Sequence, residues 1–219
     1  MEKKVDTTKK RCNNVQEREG RRLSTEVNLM NSVVKAVATL GFENASIKSI
    51  AQQAGTAVST IYCHFNSKED LFEETFMHMA EEFCSFYASD ISHLRGEDRV
   101  SSIRSLWYHY LNFFLSRPDE ALFYIRYRHS AYYTDRIRYK VLDYEAGYLT
   151  VSDQIARIIG LNQKDENAGD ILRFFVEMIL IYAEQIIMKE ATREYDELAF
   201  QATCGAVFAL EDAFEKSGR

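Results

Sequence analysis

Residues 45–71 read ASIKSIAQQAGTAVSTIYCHFNSKEDL, and this stretch decides the fold. Ser46 stands just ahead of an apolar run, where a side-chain oxygen caps the free amides of a helix start. Ile47, Ile50, Ala51 and Ala54 then recur at three- and four-residue steps, one face of a short helix. Gly55 ends that helix, and Thr56-Ala57 make a tight connection. A further helix runs to about His64, with Ile61 and Phe65 inward and Val58, Ser59, Thr60, Tyr62 and His64 along it. Asn66-Ser67 break the pattern. Ser67 caps the next helix, whose first turn carries Glu69 and Asp70, the charge sign a helix N-terminus favours. Two short helices joined by a glycine turn, the second presenting short polar groups, are what a helix-turn-helix needs to enter a major groove.

Working outward, residues 25–40 place Val27, Met30, Val33, Val34, Val37 and Leu40 on one face, followed by Gly41, which is expected to end that helix in the αL conformation. The helix that starts at Ser67 should reach about Ser92, with Leu71, Phe72, Thr75, Phe76, Met79, Phe83, Phe86 and Tyr87 as its apolar stripe. Further helices are expected over 98–116, 118–129, 135–159, 164–190 and 194–215. Pro118 suits a first helical position, and Gly160 a helix end. There is no period-2 strand segment, no internal repeat and no low-complexity tract. The reading is all-α with about nine helices. One Pro in 219 residues agrees, because a β-sandwich or barrel needs many turns.

The chain is 46% hydrophobic and 27% charged, the composition of a globular protein. Its net charge of −6 is unevenly spread. Residues 1–70 hold 11 Lys or Arg against 8 Asp or Glu, while residues 71–219 hold 16 against 25. A basic front joined to an acidic remainder suggests that only the front meets nucleic acid. Residues 1–22 are polar, with no apolar core of a secretory signal, and are expected to form a flexible arm. The longest apolar stretch, 171–188, contains Arg173, Glu177 and Glu184, so a buried helix is expected and not a membrane span. Cys12, Cys63, Cys84 and Cys204 form no CxxC pair, which fits free thiols in a cytoplasmic protein.

The stretch Ala38-x-x-Gly41-Phe42-x-x-Ala45-Ser46-Ile47-x-x-Ile50-Ala51-x-x-Ala54-Gly55, followed by Ser59-Thr60-Ile61-Tyr62-x-His64-Phe65-x-Ser67-Lys68-Glu69-x-Leu71, resembles the N-terminal domain of the TetR (tetracycline-repressor) family. The resemblance covers about Val27 to Glu73. It implies a three-helix DNA-binding domain over 23–70 and a helical ligand-binding and dimerisation domain over 71–219. The function it implies is that of a ligand-responsive transcription regulator, most often a repressor, on double-stranded operator DNA. It further implies that Ser46, Thr60, Tyr62, His64 and Lys68 contact phosphates, with Lys48 adding charge nearby. Val58 and Ser59 would face base edges, and Arg21 and Arg22 would precede the first helix within reach of a minor groove or a phosphate. The family usually has Ser where this chain has Ala57, which cannot cap; Thr56 is the expected substitute.

Competing chemistry finds little support. Cys63 and His64 are adjacent on a helix and diverge by about 100°, so they cannot share a metal. Glu74, His78 and Glu82 share a face, read as solvated in preference to a metal site. No Gly-rich phosphate loop, carboxylate pair or Ser-His-Asp arrangement can be argued, so no enzyme, metal or cofactor is expected. Ten aromatics crowd residues 107–133. Core packing explains many, but Trp107, Tyr108, Tyr110, Phe114, Tyr124 and Tyr127 are also expected to line a cavity for a lipophilic or aromatic effector, with His109 and Arg126 as nearby polar groups. In the last two helices, Ile171, Leu172, Phe175, Ile179, Tyr182, Ile186, Phe200, Val207, Phe208 and Phe214 exceed the needs of one small domain. The resemblance assigns such helices to a two-fold homodimer interface. The rival expectation is a DNA-binding structural or nucleoid-associated protein that needs no ligand.

Overall fold

The structure, a computed structural model, describes residues 3–87, 96–147 and 168–217. It is helical throughout these residues, with no strand among them. The order is α1 (Lys3–Asn44), α2 (Ile47–Gln53), α3 (Val58–His64), α4 (Lys68–Tyr87), α5 (Arg99–Ser116), α6 (Pro118–Arg128) and α7 (Asp135–Gly147), then α8 (Ala168–Ile187), a single 3-10 turn (Arg193–Tyr195) and α9 (Asp196–Ser217). The nine α-helices among the described residues match the expected all-α architecture. The expected ends of the fourth and seventh helices and the expected start of the eighth fall outside those residues.

Two compact units are present, Met1–Thr75 and Phe76–Arg219. In the first, α1 corrects two expectations. It starts at Lys3, so the backbone expected to be a flexible arm is helical. Its buried face is Leu29, Ser32, Val33, Val34, Ala36 and Val37, so Val33, Val34 and Val37 are inward as expected, while Val27 and Leu40 are exposed. The inward stripe is therefore turned toward Leu29, with Ser32 satisfying its hydroxyl on the Asn28 carbonyl at 2.8 Å. Gly41 interrupts the helix at φ 76°, ψ 167°, an extended positive-φ conformation that is almost glycine-only, not the αL expected there. Asn44 then leads into α2, and Phe42 meets Phe72 edge-on at 5.4 Å.

In the second unit, α8 packs against α5, α6 and α9. Asp98 caps α5 through the Ser101 amide at 2.8 Å, which holds its carboxyl below the usual aspartate range. Pro118 opens α6. The core joins Trp107, Tyr110, Phe114, Phe175, Ile179, Phe200 and Val207, each fully or almost fully buried. Burying each large side chain of this kind contributes roughly 1.5–3 kcal/mol. Tyr182 donates to Asp196 Oδ1 at 3.0 Å; burial first, and then that carboxylate, push its phenol up to about 12.

Candidate nucleic-acid interface

The turn between α2 and α3 is built from both ends. Ser46 is extended (φ −87°, ψ 155°), and its Oγ accepts from the Ser49 amide at 3.1 Å. Ser49 Oγ in turn accepts from the Ser46 amide at 2.9 Å, which closes a reciprocal cap. Ala54 leads to Gly55, whose φ of 66° suits glycine, and the Thr56 amide closes back on the Ala51 carbonyl at 2.9 Å. Asn28 of α1 donates to the Ala54 carbonyl at 3.1 Å, pinning the end of α2. Ile50, Ala51, Ile61 and Phe65 are buried and fix how α3 lies on α2.

That packing turns the other side of α3 to solvent. Val58, Ser59 and Tyr62 are exposed, Tyr62 at 54%, and Thr60 is half-buried. Ala57 is the N-cap of α3, with extended backbone and no side-chain cap bond, so Thr56 does not take over that role as expected. Ser67 does cap α4, accepting from the Asp70 amide at 3.0 Å, while Asp70 accepts from the Asn66 amide at 2.8 Å.

The charged residues divide into open and engaged. Lys48 is exposed. Lys68, the first residue of α4, holds its ammonium 5.1 Å from the centre of the Phe72 ring. His64 is engaged: its Nδ1 lies 3.0 Å from Glu26 Oε1 of α1, and the same oxygen accepts from Arg22 Nε at 2.9 Å. Only 13% of the His64 side chain and 19% of the Glu26 side chain are accessible. The His64 hydrogen bond first, and Arg22 besides, hold the Glu26 carboxyl below the usual glutamate range. Arg21 and Arg22 lie inside α1 and do not precede the first helix as expected. Sequence reasoning missed Glu26, which stands 38 residues from its partner.

Residues 34–75 match the family model described as bacterial regulatory proteins, tetR family. That match makes residues 34–75 a DNA-binding segment of the tetR-family type. Across its length the chain is similar to a TetR-family regulator from Marinobacter aquaeolei VT8, with a TM-score of 0.64, 24% identity, and 86% of this chain and 97% of that one covered. It is also similar to the FadR regulator of Bacillus subtilis solved with stearoyl-CoA, at a TM-score of 0.53 and 18% identity, covering 84% and 96%. At these identities the structural likenesses establish the fold. The fatty acid metabolism regulator protein of Bacillus subtilis (strain 168) is 25% identical over 128 residues, 58% of this chain. The match spans 63% of that relative's length.

In the C-terminal unit, the aromatics expected to line a cavity are largely packed among one another. Trp107, Tyr110 and Phe114 are fully buried and Tyr127 nearly so, while Tyr108 and Tyr124 are half-buried. Phe76 stacks on Tyr127 at 4.3 Å and on Tyr124 at 5.1 Å. The indole Nε1 of Trp107 is buried with no hydrogen-bond partner among the described residues. Arg126 places a guanidinium nitrogen 3.6 Å from Met188 Sδ, and His109 stacks on Phe86 at 4.7 Å. Among the described residues a cleft of about 600 Å³ lies between α4 and α5, lined by His78, Glu81, Glu82, Ser85, Phe86, Phe113 and Arg117. None of the six expected lining residues borders it. Glu82, expected on a solvated face, accepts from Arg117 at 3.2 Å and lies 3.9 Å from His78 Nε2.

The last two helices also differ from expectation. Ile171, Phe175, Ile179, Tyr182, Phe200 and Val207 are buried within the C-terminal unit, while Leu172, Ile186, Phe208 and Phe214 are half-buried. The exposed apolar residues are others: Phe174 and Ile181 on α8, Met188 just past its end, and Leu198 on α9. Arg173 pairs with Asp170 at 3.3 Å, and Glu177 pairs with Arg128 of α6. No helix among the described residues is long and apolar enough to cross a membrane.

Proposed function

We propose that this chain is a DNA-binding transcription regulator of the cytoplasm, acting as a dimeric repressor that leaves its operator when a lipophilic small molecule binds. The carrying observation is the α2–turn–α3 unit. Its inner face is locked by Ile50, Ala51, Ile61 and Phe65, while Val58, Ser59 and Tyr62 stand open between Lys48 and Lys68. In this reading Val58 and Ser59 meet base edges. Ser46, Thr60, Tyr62, His64 and Lys68 meet phosphates, with Lys48 adding charge. The Ser46 hydroxyl also serves its own cap, so its phosphate contact is made alongside that bond. Nothing in the arrangement calls for a catalytic step.

The effector class follows from the relatives. A fatty acid metabolism regulator matches in sequence, and a FadR structure with stearoyl-CoA matches in fold. An acyl-CoA thioester is therefore the first effector to test. Such a ligand releases DNA only by as much as it prefers the non-binding state. The test is fluorescence anisotropy on a labelled duplex from the region upstream of the chain's own gene, with and without stearoyl-CoA. Expected are binding that weakens steeply with salt and release by the thioester. Unchanged affinity after Lys68→Ala plus Tyr62→Phe would overturn the contact assignment.

The packed state of Trp107, Tyr110 and Phe114 favours one rival, a DNA-binding structural protein that needs no effector. That rival predicts the same salt dependence but no thermal shift and no DNA release with stearoyl-CoA.

A further inference from the structure

We propose that Glu26 is a positioning residue for DNA binding: it holds the His64 imidazole in its Nδ1–H form and leaves Nε2 to meet a backbone phosphate once that nitrogen is protonated. This rests on the reading that His64 touches DNA. A neutral imidazole carries one N–H. With Glu26 Oε1 3.0 Å from Nδ1, that proton sits on Nδ1 and donates to the carboxylate. Nε2 then bears a lone pair, which a phosphate oxygen repels. A second proton turns Nε2 into a donor and makes the phosphate bond charge-assisted. The carboxylate compensates the resulting imidazolium, and its own charge is secured by His64 and by Arg22.

The surroundings leave this pair in control. Among the described side chains of α1, Glu26 faces His64 and Arg22 pairs with that Glu26. On α3 the other titratable side chains are Tyr62 and Cys63, both exposed. The charge of α2 is Lys48, also exposed. At the start of α4, Lys68 lies over Phe72, Asp70 is bonded to Asn66, and Glu69 is exposed. The sign follows: the DNA complex holds the proton on Nε2, so binding takes up a proton and affinity falls as pH rises. A hydrogen bond that only fastened α3 to α1 would produce no such dependence.

The test uses the full chain and the labelled upstream duplex between about pH 6 and about pH 8. The wild type is expected to lose about tenfold or more in affinity over that range, the worth of one charge-assisted hydrogen bond. Glu26→Gln keeps an oxygen for the Nδ1 proton but not the charge. It should move the affinity-versus-pH midpoint to lower pH and weaken binding near neutrality by about tenfold. His64→Gln, whose amide is a donor at every pH, should flatten the profile. In that background Glu26→Gln should then cost less than about twofold. Long-range 1H–15N spectra of the free protein should report the Nδ1–H tautomer in the wild type. Nε2–H in the free wild type, a flat wild-type profile, or a profile unmoved by Glu26→Gln while DNA still binds overturns this proposal alone. A wild type that binds no duplex at any pH or salt overturns the regulator reading and this proposal with it.

Discussion

Single residues carry opposite lessons around the turn. Ser46 was legible because capping is local chemistry: a hydroxyl three residues before the amide it accepts. Glu26 was not, because its partner is 38 residues away and nothing in spacing joins α1 to the end of α3. Ala57 leaves a helix start in capping geometry with no cap oxygen. Ala57→Ser should therefore raise stability by about 0.5–1 kcal/mol, seen as a higher thermal midpoint. At Gly41 an added Cβ would meet nothing within 4 Å, so the only cost of substitution is conformational. Gly41→Ala should lower stability by about 1–3 kcal/mol in urea unfolding. Glu26 adds a pH term. Its carboxyl is held below the usual range, so its contribution is present above about pH 4.3 and is lost as pH falls below that value. Glu26→Gln should narrow the wild-type advantage in thermal midpoint as the pH is lowered below about 4.

At the scale of elements, periodicity identified the helices but not always the faces. Sequence 25–40 is apolar on more than one side, so a stripe through Val27 and Leu40 fits as well as one through Leu29 and Ala36. The packing of α2 chooses the second. The polar start of α1, Lys3–Arg22, has no apolar stripe to read, and its helicity could not be foreseen. The aromatic run over α5 and α6 misled for a related reason. Many rings in succession suggest a lined cavity, yet α4 and α8 supply enough apolar surface to bury most of them. Phe114 decides between lining and packing. As a core residue, Phe114→Ala should cost about 3–5 kcal/mol and lower the thermal midpoint in the absence of any ligand. A cavity-lining Phe114 would instead leave the apo midpoint nearly unchanged and alter only the response to stearoyl-CoA.

For the whole molecule, the acidic total conceals a basic N-terminal third, and the DNA reading needs a second copy. Two recognition helices must sit about one DNA turn (about 34 Å) apart, which a two-fold dimer supplies. The residues able to build its interface are those the subunit leaves uncovered. On α8, Phe174, Met178, Ile181 and Gln185 follow each other at steps of four, three and four, one continuous ridge, with Met188 in the turn just beyond. On α9, Leu198, Ala202, Gly205 and Ala209 follow at the same steps, all exposed, and their small side chains allow a close helix approach. Ile181 is 48% exposed and lies mid-ridge, so a change there leaves the subunit core intact. In an isologous contact Ile181→Glu buries two unpaired carboxylates at once, a cost of several kcal/mol. Sedimentation equilibrium should then show a monomer with unchanged helical circular dichroism, and affinity for the upstream duplex should fall by at least about a hundredfold. An Ile181→Glu chain that remains dimeric would place the interface elsewhere than the α8 ridge.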